Sequence, residues 1–395
     1  MTTPDLHAAQ VAAQVEPGNA ETQYSLGYIE LFDGQDLDVA RKAFERSIAL
    51  NRFCAHCWLG LATAYQVSGD QESEARALDA ALRLEPTNPA LAWEVANLET
   101  LRGDSHKALR LLRPVVQYSE DGRDVDAALS FAWRISDGNV QEVLQQTVPP
   151  IAKFELTFVN ILLNKKAFAE ADLVWQRFAS EGQPFDPALT YRYIDQLVER
   201  QKVAEATRAW DYVVKMNPSL PSSESKENLL VSGDFEHSLQ SGGFGWRHHP
   251  VNGVAVSIDD SRFHSANHAL LISYDSVAAP DAGVVQWVPV EASGCYEFSA
   301  MYEAGDLEGA NGVQITVSDL YRPVTPLFVS KPILGSTPWQ SIEGRFRTDA
   351  DSKMLVIHFL IPNGTLAKGN LWLDDIKVNP LPIAQCSDSD GASRK

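Results

Sequence analysis

The chain has 395 residues, 45% of them hydrophobic and 22% charged, a composition that fits a folded globular protein with room for two domains and excludes general disorder. Its 52 acids against 33 Lys plus Arg give a formal charge of -19 with no compensating basic stripe, so a nucleic acid is excluded as partner. The longest apolar runs, such as MLVIHFLI at 354–361, fall far short of the ~20 residues needed to cross a bilayer.

The first residues, MTTPDLHAAQ, carry neither the basic start nor the apolar stretch of a secretory signal, and at face value they leave the chain in the cytoplasm. Residues 4–20, PDLHAAQVAAQVEPGNA, read as the second helix of a hairpin whose first helix is missing. A half-hairpin leaves an apolar face uncovered. The expectation is therefore that Met1 is a trimmed start and that native sequence upstream supplies a signal or membrane anchor, which would make the location extracytoplasmic.

From about residue 20 the sequence matches itself at an offset of 34 residues. Tyr24 and Trp58 share one slot, Tyr28, Ala62 and Ala96 a second, and Gly69 and Gly103 the turn. Phe44, Leu78 and Leu112 share the large apolar slot of the second helix, followed one turn later by Ser47, Ala81 and Val115. Each unit predicts a helical hairpin. A poorly matching unit follows around Ala127–Pro150, and then Ala171/Trp175 and Ala206/Trp210 place a small residue four before a ring, which puts both on one helix face as packing.

This pattern resembles the tetratricopeptide repeat over roughly residues 20–218, in five to six units. The resemblance implies a right-handed superhelix whose groove binds a protein or peptide. No basic clamp for a terminal carboxylate is legible, so the partner is not identified. Four cysteines (Cys54, Cys57, Cys295, Cys386) are too sparse for a disulfide framework. CAHC at 54–57 reads chiefly as buried small residues, with a disulfide or redox pair as the alternative and half a zinc site as a third reading that lacks a second ligand pair.

NPSLPSSESKE at 217–227 is polar and proline-interrupted, and predicts a boundary: helical repeats over 1–218, a linker at 219–227, a second domain at 228–380 and a flexible tail at 381–395. Beyond the linker the apolar period becomes two, in eight or more short runs such as VVQWVPV, CYEFSAMY and NLWLDDIKV. The fold class is thus multidomain, an α-solenoid followed by an antiparallel β-sandwich of the jelly-roll kind. NLLVSGDFE with GFGW, VVQWVPVEASGCYEFSAMYEA and GNLWLDDIKV resemble the β-jelly-roll carbohydrate-binding modules of the galactose-binding-like superfamily.

That resemblance implies a structural Ca²⁺ held by Glu236 and Asp374, with Asp234 or Asp375 as substitutes and backbone carbonyls near Ser265 completing the shell. Hydrogen-bonded acids capping strand ends are the alternative. It also implies a glycan face. Alternation leaves Trp287, Glu297, Met301, Gln314 and His358 outward, one stacking ring among polar groups, while Trp246, Trp339 and Trp372 match apolar family positions and are expected in the core. A surface that docks elsewhere, against the helical array, is the competing reading of those outward residues.

No Gly-rich phosphate loop, GxSxG or HExxH is present, so no enzyme is expected. The combination resembles bacterial envelope proteins of exopolysaccharide export and predicts a scaffold with a protein partner and a glycan partner. A purely structural or assembly protein, and a polysaccharide-active enzyme working through Glu297 or Asp374, are the alternatives.

Overall fold

The computed structural model describes residues 6–34, 36–221, 228–278, 281–364 and 366–386. Residues 222–227 of the expected linker and 387–395 of the expected tail lie outside the described residues. The chain divides into two compact units, residues 1–183 and 184–395.

The first unit is helical. Helix α1 (Leu6–Val15) precedes the hairpins α2 (Ala20–Ile29) with α3 (Leu37–Leu50), α4 (Ala55–Ser68) with α5 (Gln71–Leu84), and α6 (Pro89–Leu101) with α7 (Ser105–Tyr118). Then follow α8 (Gly122–Ile135), α9 (Val140–Gln146), and the pair α10 (Ala152–Asn164) and α11 (Phe168–Glu181). Local chemistry fixes the ends. The Asp36, Asp70, Asn88 and Asp104 side chains each accept a backbone N–H of the following first turn, satisfying donors that have no partner inside the helix.

Phe44, Leu78, Leu112, Ala62 and Ala96 are fully buried as their repeat slots predict, whereas Tyr28, in the slot of Ala62 and Ala96, is 50% exposed; each large side chain so buried contributes roughly 1.5–3 kcal/mol. Gly69 and Gly103 adopt positive φ where their helices end. The drifted unit is α8 with α9, whose second helix stops after seven residues, just ahead of Pro149 and Pro150.

The second unit opens with one more hairpin, α12 (Ala188–Glu199) and α13 (Val203–Met216). Ten strands follow: β1 (Arg247–His248), β2 (Val254–Asp259), β3 (Ala269–Ala278), β4 (Asp281–Pro289), β5 (Cys295–Gly309), β6 (Gln314–Asp319), β7 (Phe328–Val329), β8 (Gly335–Arg347), β9 (Met354–Leu360) and β10 (Leu366–Leu381). They form two antiparallel sheets, ordered β1-β4-β9-β6-β7 and β2-β3-β10-β5-β8. The core between them contains Tyr296, Phe298, Ala300, Leu355, Ile357, Phe359 and Trp246, as alternation and family position predict.

Helix gives way to strand between Asn217 and Arg247, but the compact unit begins at Pro184. The last hairpin therefore belongs with the sandwich. The expectation of a free tail from residue 381 is corrected at its start: Leu381 ends β10, and Cys386 is disulfide-bonded to Cys295, 91 residues earlier. The cysteines that looked too sparse for a framework form two disulfides, the other being Cys54–Cys57.

Candidate functional site

The five residues predicted to share one glycan face do not share it. Trp287, Gln314 and His358 stand on β4, β6 and β9 of the first sheet, whereas Glu297 and Met301 stand on β5 of the second. Alternation reports which side of its own strand a residue faces. It does not report which sheet the strand joins, and β5 crosses to the opposite layer from its sequence neighbours β4 and β6.

On the first sheet, the ring of Trp287 is covered. The Arg247 guanidinium lies 3.8 Å from the ring centroid and bonds Asp195 of α12 through both terminal nitrogens, at 2.8 and 2.5 Å. A bidentate, charge-assisted pair of this kind is among the strong hydrogen bonds, and a desolvated cation over an indole adds about 2 kcal/mol. The Tyr321 hydroxyl donates to the Val198 carbonyl of the same helix at 2.7 Å. Outward positions Thr316, Ser318 and Val356 are buried. His358 Nδ1 sits 2.8 Å from Asp281 Oδ2, and the Gln314 amide donates to the Ser330 carbonyl. This sheet face is a joint with the hairpin.

The glycine-rich stretch before Trp246 follows from that joint. A Cβ on Gly242 would stand 2.2 Å from the Tyr191 ring, and one on Gly243, at φ +60°, would stand 2.1 Å from the Trp210 ring. Only glycine lets the backbone come this close in that conformation. Phe244 then packs on Trp210, with ring centroids 6.0 Å apart.

The second sheet's outward side carries a different set. Trp372 pairs across the ladder with Glu303 and is buried as expected, 5% exposed although outside the main core cluster, whereas Trp339 is half-buried and lies outside that cluster, contrary to its expected core position. The Trp372 indole N–H donates to Asp259 at 2.7 Å, and the Arg262 guanidinium sits 4.5 Å from its ring centroid. Trp339 lies two residues along from Ser341, the partner of Met301, with its ring 5.7 Å from that of His264. A polar groove of about 600 Å³ opens here, lined by Trp372, Asp259, Arg262, Asp306, Lys368 and Asn370. Glu297, further along β5, is ion-paired with Arg345 at 3.0 Å.

The acids expected to ligate Ca²⁺ grip a loop. The chain ends of the sandwich do meet, Leu229 N bonding Val378 O and Ile376 N bonding Gly233 O. Asp374, fully buried, accepts the His264 and Ser265 amides on one oxygen and its neighbour's amide on the other. Glu236 accepts the Asn267 and His268 amides on Oε1, while Oε2 faces the side chains of the same two residues. Asp234 caps its own turn through the Glu236 amide, and Asp375 pairs with His264.

Burial raises the Asp374 carboxyl against the lowering effect of its amide bonds. At Glu236 burial also pushes upward, but the bonds from Asn267 and His268 prevail and hold it below the usual range. Among the described residues, neither Glu236 nor Asp234 joins a cluster of three ligand atoms, and His264, Asp374 and Asp375 form the one such group in the sandwich. Donors already aimed at these oxygens do not fit a cation between them.

Two further concavities were not legible in the sequence. One of about 700 Å³ in the first unit is lined by Trp93, Asn97, Phe131, Trp133, Arg134 and Lys165, with Arg134 4.9 Å over the Phe131 ring. The other, about 650 Å³, lies where the start of α13 (Val203, Ala204) meets the sandwich rim at Leu229, Val290 and Tyr296. Both are built from segments remote in sequence.

No family model and no curated protein matches the sequence. Among solved structures, the chain is similar to a CBM4 structure at 14% identity and a TM-score of 0.30, over 38% of this chain and 99% of that one. It is similar to a family 16 carbohydrate-binding module at 18% and 0.29, over 38% and 99%. It is also similar to pilF of Pseudomonas aeruginosa at 13% and 0.28, over 51% and 92%. Likenesses of this size say nothing of ligands. The fold stands on the elements themselves: an array of antiparallel helical hairpins, then a sandwich of two antiparallel sheets.

Proposed function

We propose that the chain is a non-catalytic scaffold, in which the helical array docks a protein partner and the sandwich offers the outward side of its second sheet to a glycan. The observation that carries this reading is the placement of Arg247 between Trp287 and Asp195. It commits the first sheet to the hairpin and leaves the polar groove of the second, floored by Trp372, which is 5% exposed beneath the Arg262 guanidinium. In such a groove amides, carboxylates and cationic side chains bond the hydroxyls of a sugar. Asp259, Asp306, Lys368 and Asn370 supply such groups.

For the array, the concavity at Trp93 and Trp133 combines aromatic anchors with Asn97, Arg134 and Lys165, a set suited to an extended peptide. The carboxylates that would serve a polysaccharide-active enzyme are otherwise engaged, Glu297 with Arg345 and Asp374 with backbone amides. An envelope setting in exopolysaccharide export is part of the same proposal. It is supported by the pairing of all four cysteines, which fits an oxidising compartment. An in-frame stop codon just upstream of Met1 in the native gene would remove the signal or anchor this setting requires.

The second reading, a sandwich that only caps the last hairpin, is favoured by the same Arg247 joint. A broad glycan array on the full chain separates the two. Binding that is lost in a folded Trp372→Ala protein supports the glycan scaffold, and an array blank for the parent protein supports the cap.

A further inference from the structure

Cys54–Cys57 spans three residues at the start of α4, whereas Cys295–Cys386 closes 91. A bond within one turn removes little freedom from the unfolded chain. The helix start is already capped: Cys54 Sγ accepts the Cys57 N–H at 3.2 Å. The short disulfide therefore contributes little to the fold, and its surroundings point to another use.

His56 Nε2 stands 3.3 Å from Cys54 Sγ, and Glu21 Oε2 of α2 stands 3.9 Å from that nitrogen. One ligand atom each from Cys54, His56 and Cys57 lies within 4.8 Å of the others. Tetrahedral zinc, with Zn–S near 2.3 Å and Zn–N near 2.0–2.1 Å, sets neighbouring ligand atoms roughly 3.3–3.8 Å apart. The sulfur–nitrogen spacing meets this already, and the nitrogen–oxygen spacing is close to it. Only the two sulfurs are too near, because they are bonded. The edge of Tyr24 meets the His56 ring at a centroid distance of 4.6 Å and orients it. Cys54 and Cys57 are buried, while the His56 and Glu21 side chains are 53% and 72% exposed, so the cluster has a dry sulfur end and an open entry. In place of a second cysteine pair stand the His56 imidazole, within this group of three, and the Glu21 carboxylate beside the imidazole and outside the group.

We propose that the reduced Cys54–Cys57 pair, with His56 and Glu21, is a redox-gated site for Zn²⁺. A dithiol reductant supplies two electrons, closing to its own disulfide as the Cys54–Cys57 bond opens, and two protons complete the pair of thiols. Zn²⁺ then displaces both thiol protons and binds the thiolates. A disulfide oxidant, whose own bond opens to two thiolates as it takes the two electrons, re-forms Cys54–Cys57 and releases Zn²⁺.

Cobalt(II) is the spectroscopic probe. In a Cys295→Ser, Cys386→Ser protein treated with a phosphine reductant and freed of metal, one equivalent of Co²⁺ should give a thiolate-to-cobalt charge-transfer band and tetrahedral ligand-field bands, both erased by one equivalent of Zn²⁺. His56→Ala, at an exposed position, should weaken binding at least about tenfold, Glu21→Gln less, and the unreduced protein should stay silent. If the double serine variant does not fold, the difference spectrum between reduced parent and its Cys54→Ser, Cys57→Ser variant gives the same reading. A folded, reduced protein without the charge-transfer band overturns the proposal, and so does a His56→Ala variant that binds Co²⁺ as tightly as its parent.

Discussion

Arg247 holds Trp287 and Asp195 at once, its guanidinium 3.8 Å over the indole and bonded through two nitrogens to a carboxylate of α12. One side chain thus joins a β-sheet to the helical hairpin that precedes it, at a residue that is 5% exposed.

Removing one partner of such a buried pair leaves the other charge unpaired. Asp195→Asn and Arg247→Met should each lower the unfolding free energy by about 3 kcal/mol, measured by urea denaturation of the full chain. A loss within about 0.5 kcal/mol of zero, the usual size of a surface change, would mean that the joint does not hold the unit together.

The Gly243 contact predicts coupling. Gly243→Ala meets both a left-handed backbone and the Trp210 ring. It should cost about 2 kcal/mol or more, and less in a Trp210→Leu background. Strict additivity in that double-mutant cycle would contradict the contact.

Glu155 gives a pH signature. It is fully buried on α10, with Arg177 Nε 2.9 Å away. Burial, with the Glu181 charge adding and Arg177 opposing, pushes its carboxyl from 4.5 to about 7. The folded chain then holds a proton that the unfolded chain releases, so stability falls as pH rises from about 4.5 to about 7. Between roughly pH 5.5 and 8.5 the parent should lose about 2 kcal/mol that Glu155→Gln does not lose. Parallel pH profiles for the two proteins would refute this.

The amide-saturated acids predict indifference to calcium. Millimolar Ca²⁺ or a chelator should leave the melting temperature unchanged, whereas Asp374→Asn should lower stability by about 1–3 kcal/mol as backbone donors lose their charged acceptor. A Ca²⁺-dependent rise in melting temperature would show that the acids bind a cation instead.

The array was legible because Phe44, Leu78 and Leu112 recur at fixed spacing, and the sandwich because Leu355, Ile357 and Phe359 alternate. Trp372, between the core residues Leu371 and Leu373, is buried as its family position implied, but on the outer side of its sheet beneath Arg262. The Arg247 joint had no local signal, since Arg247 and Asp195 are 52 residues apart and a lone arginine after GFGW resembles any surface residue. The adjacent glycines were visible, but their reason lay in Tyr191 and Trp210, on helices that precede the linker. Splitting the glycan candidates between two layers required sheet order, which a period of two does not contain.

The central claim, that the second sheet and not the first meets the glycan, is tested most directly by glycan-array binding of the full-length Trp372→Ala and Trp287→Ala proteins beside the parent. The account predicts that folded Trp372→Ala loses binding while folded Trp287→Ala retains it. Retention in Trp372→Ala with loss in folded Trp287→Ala would contradict it.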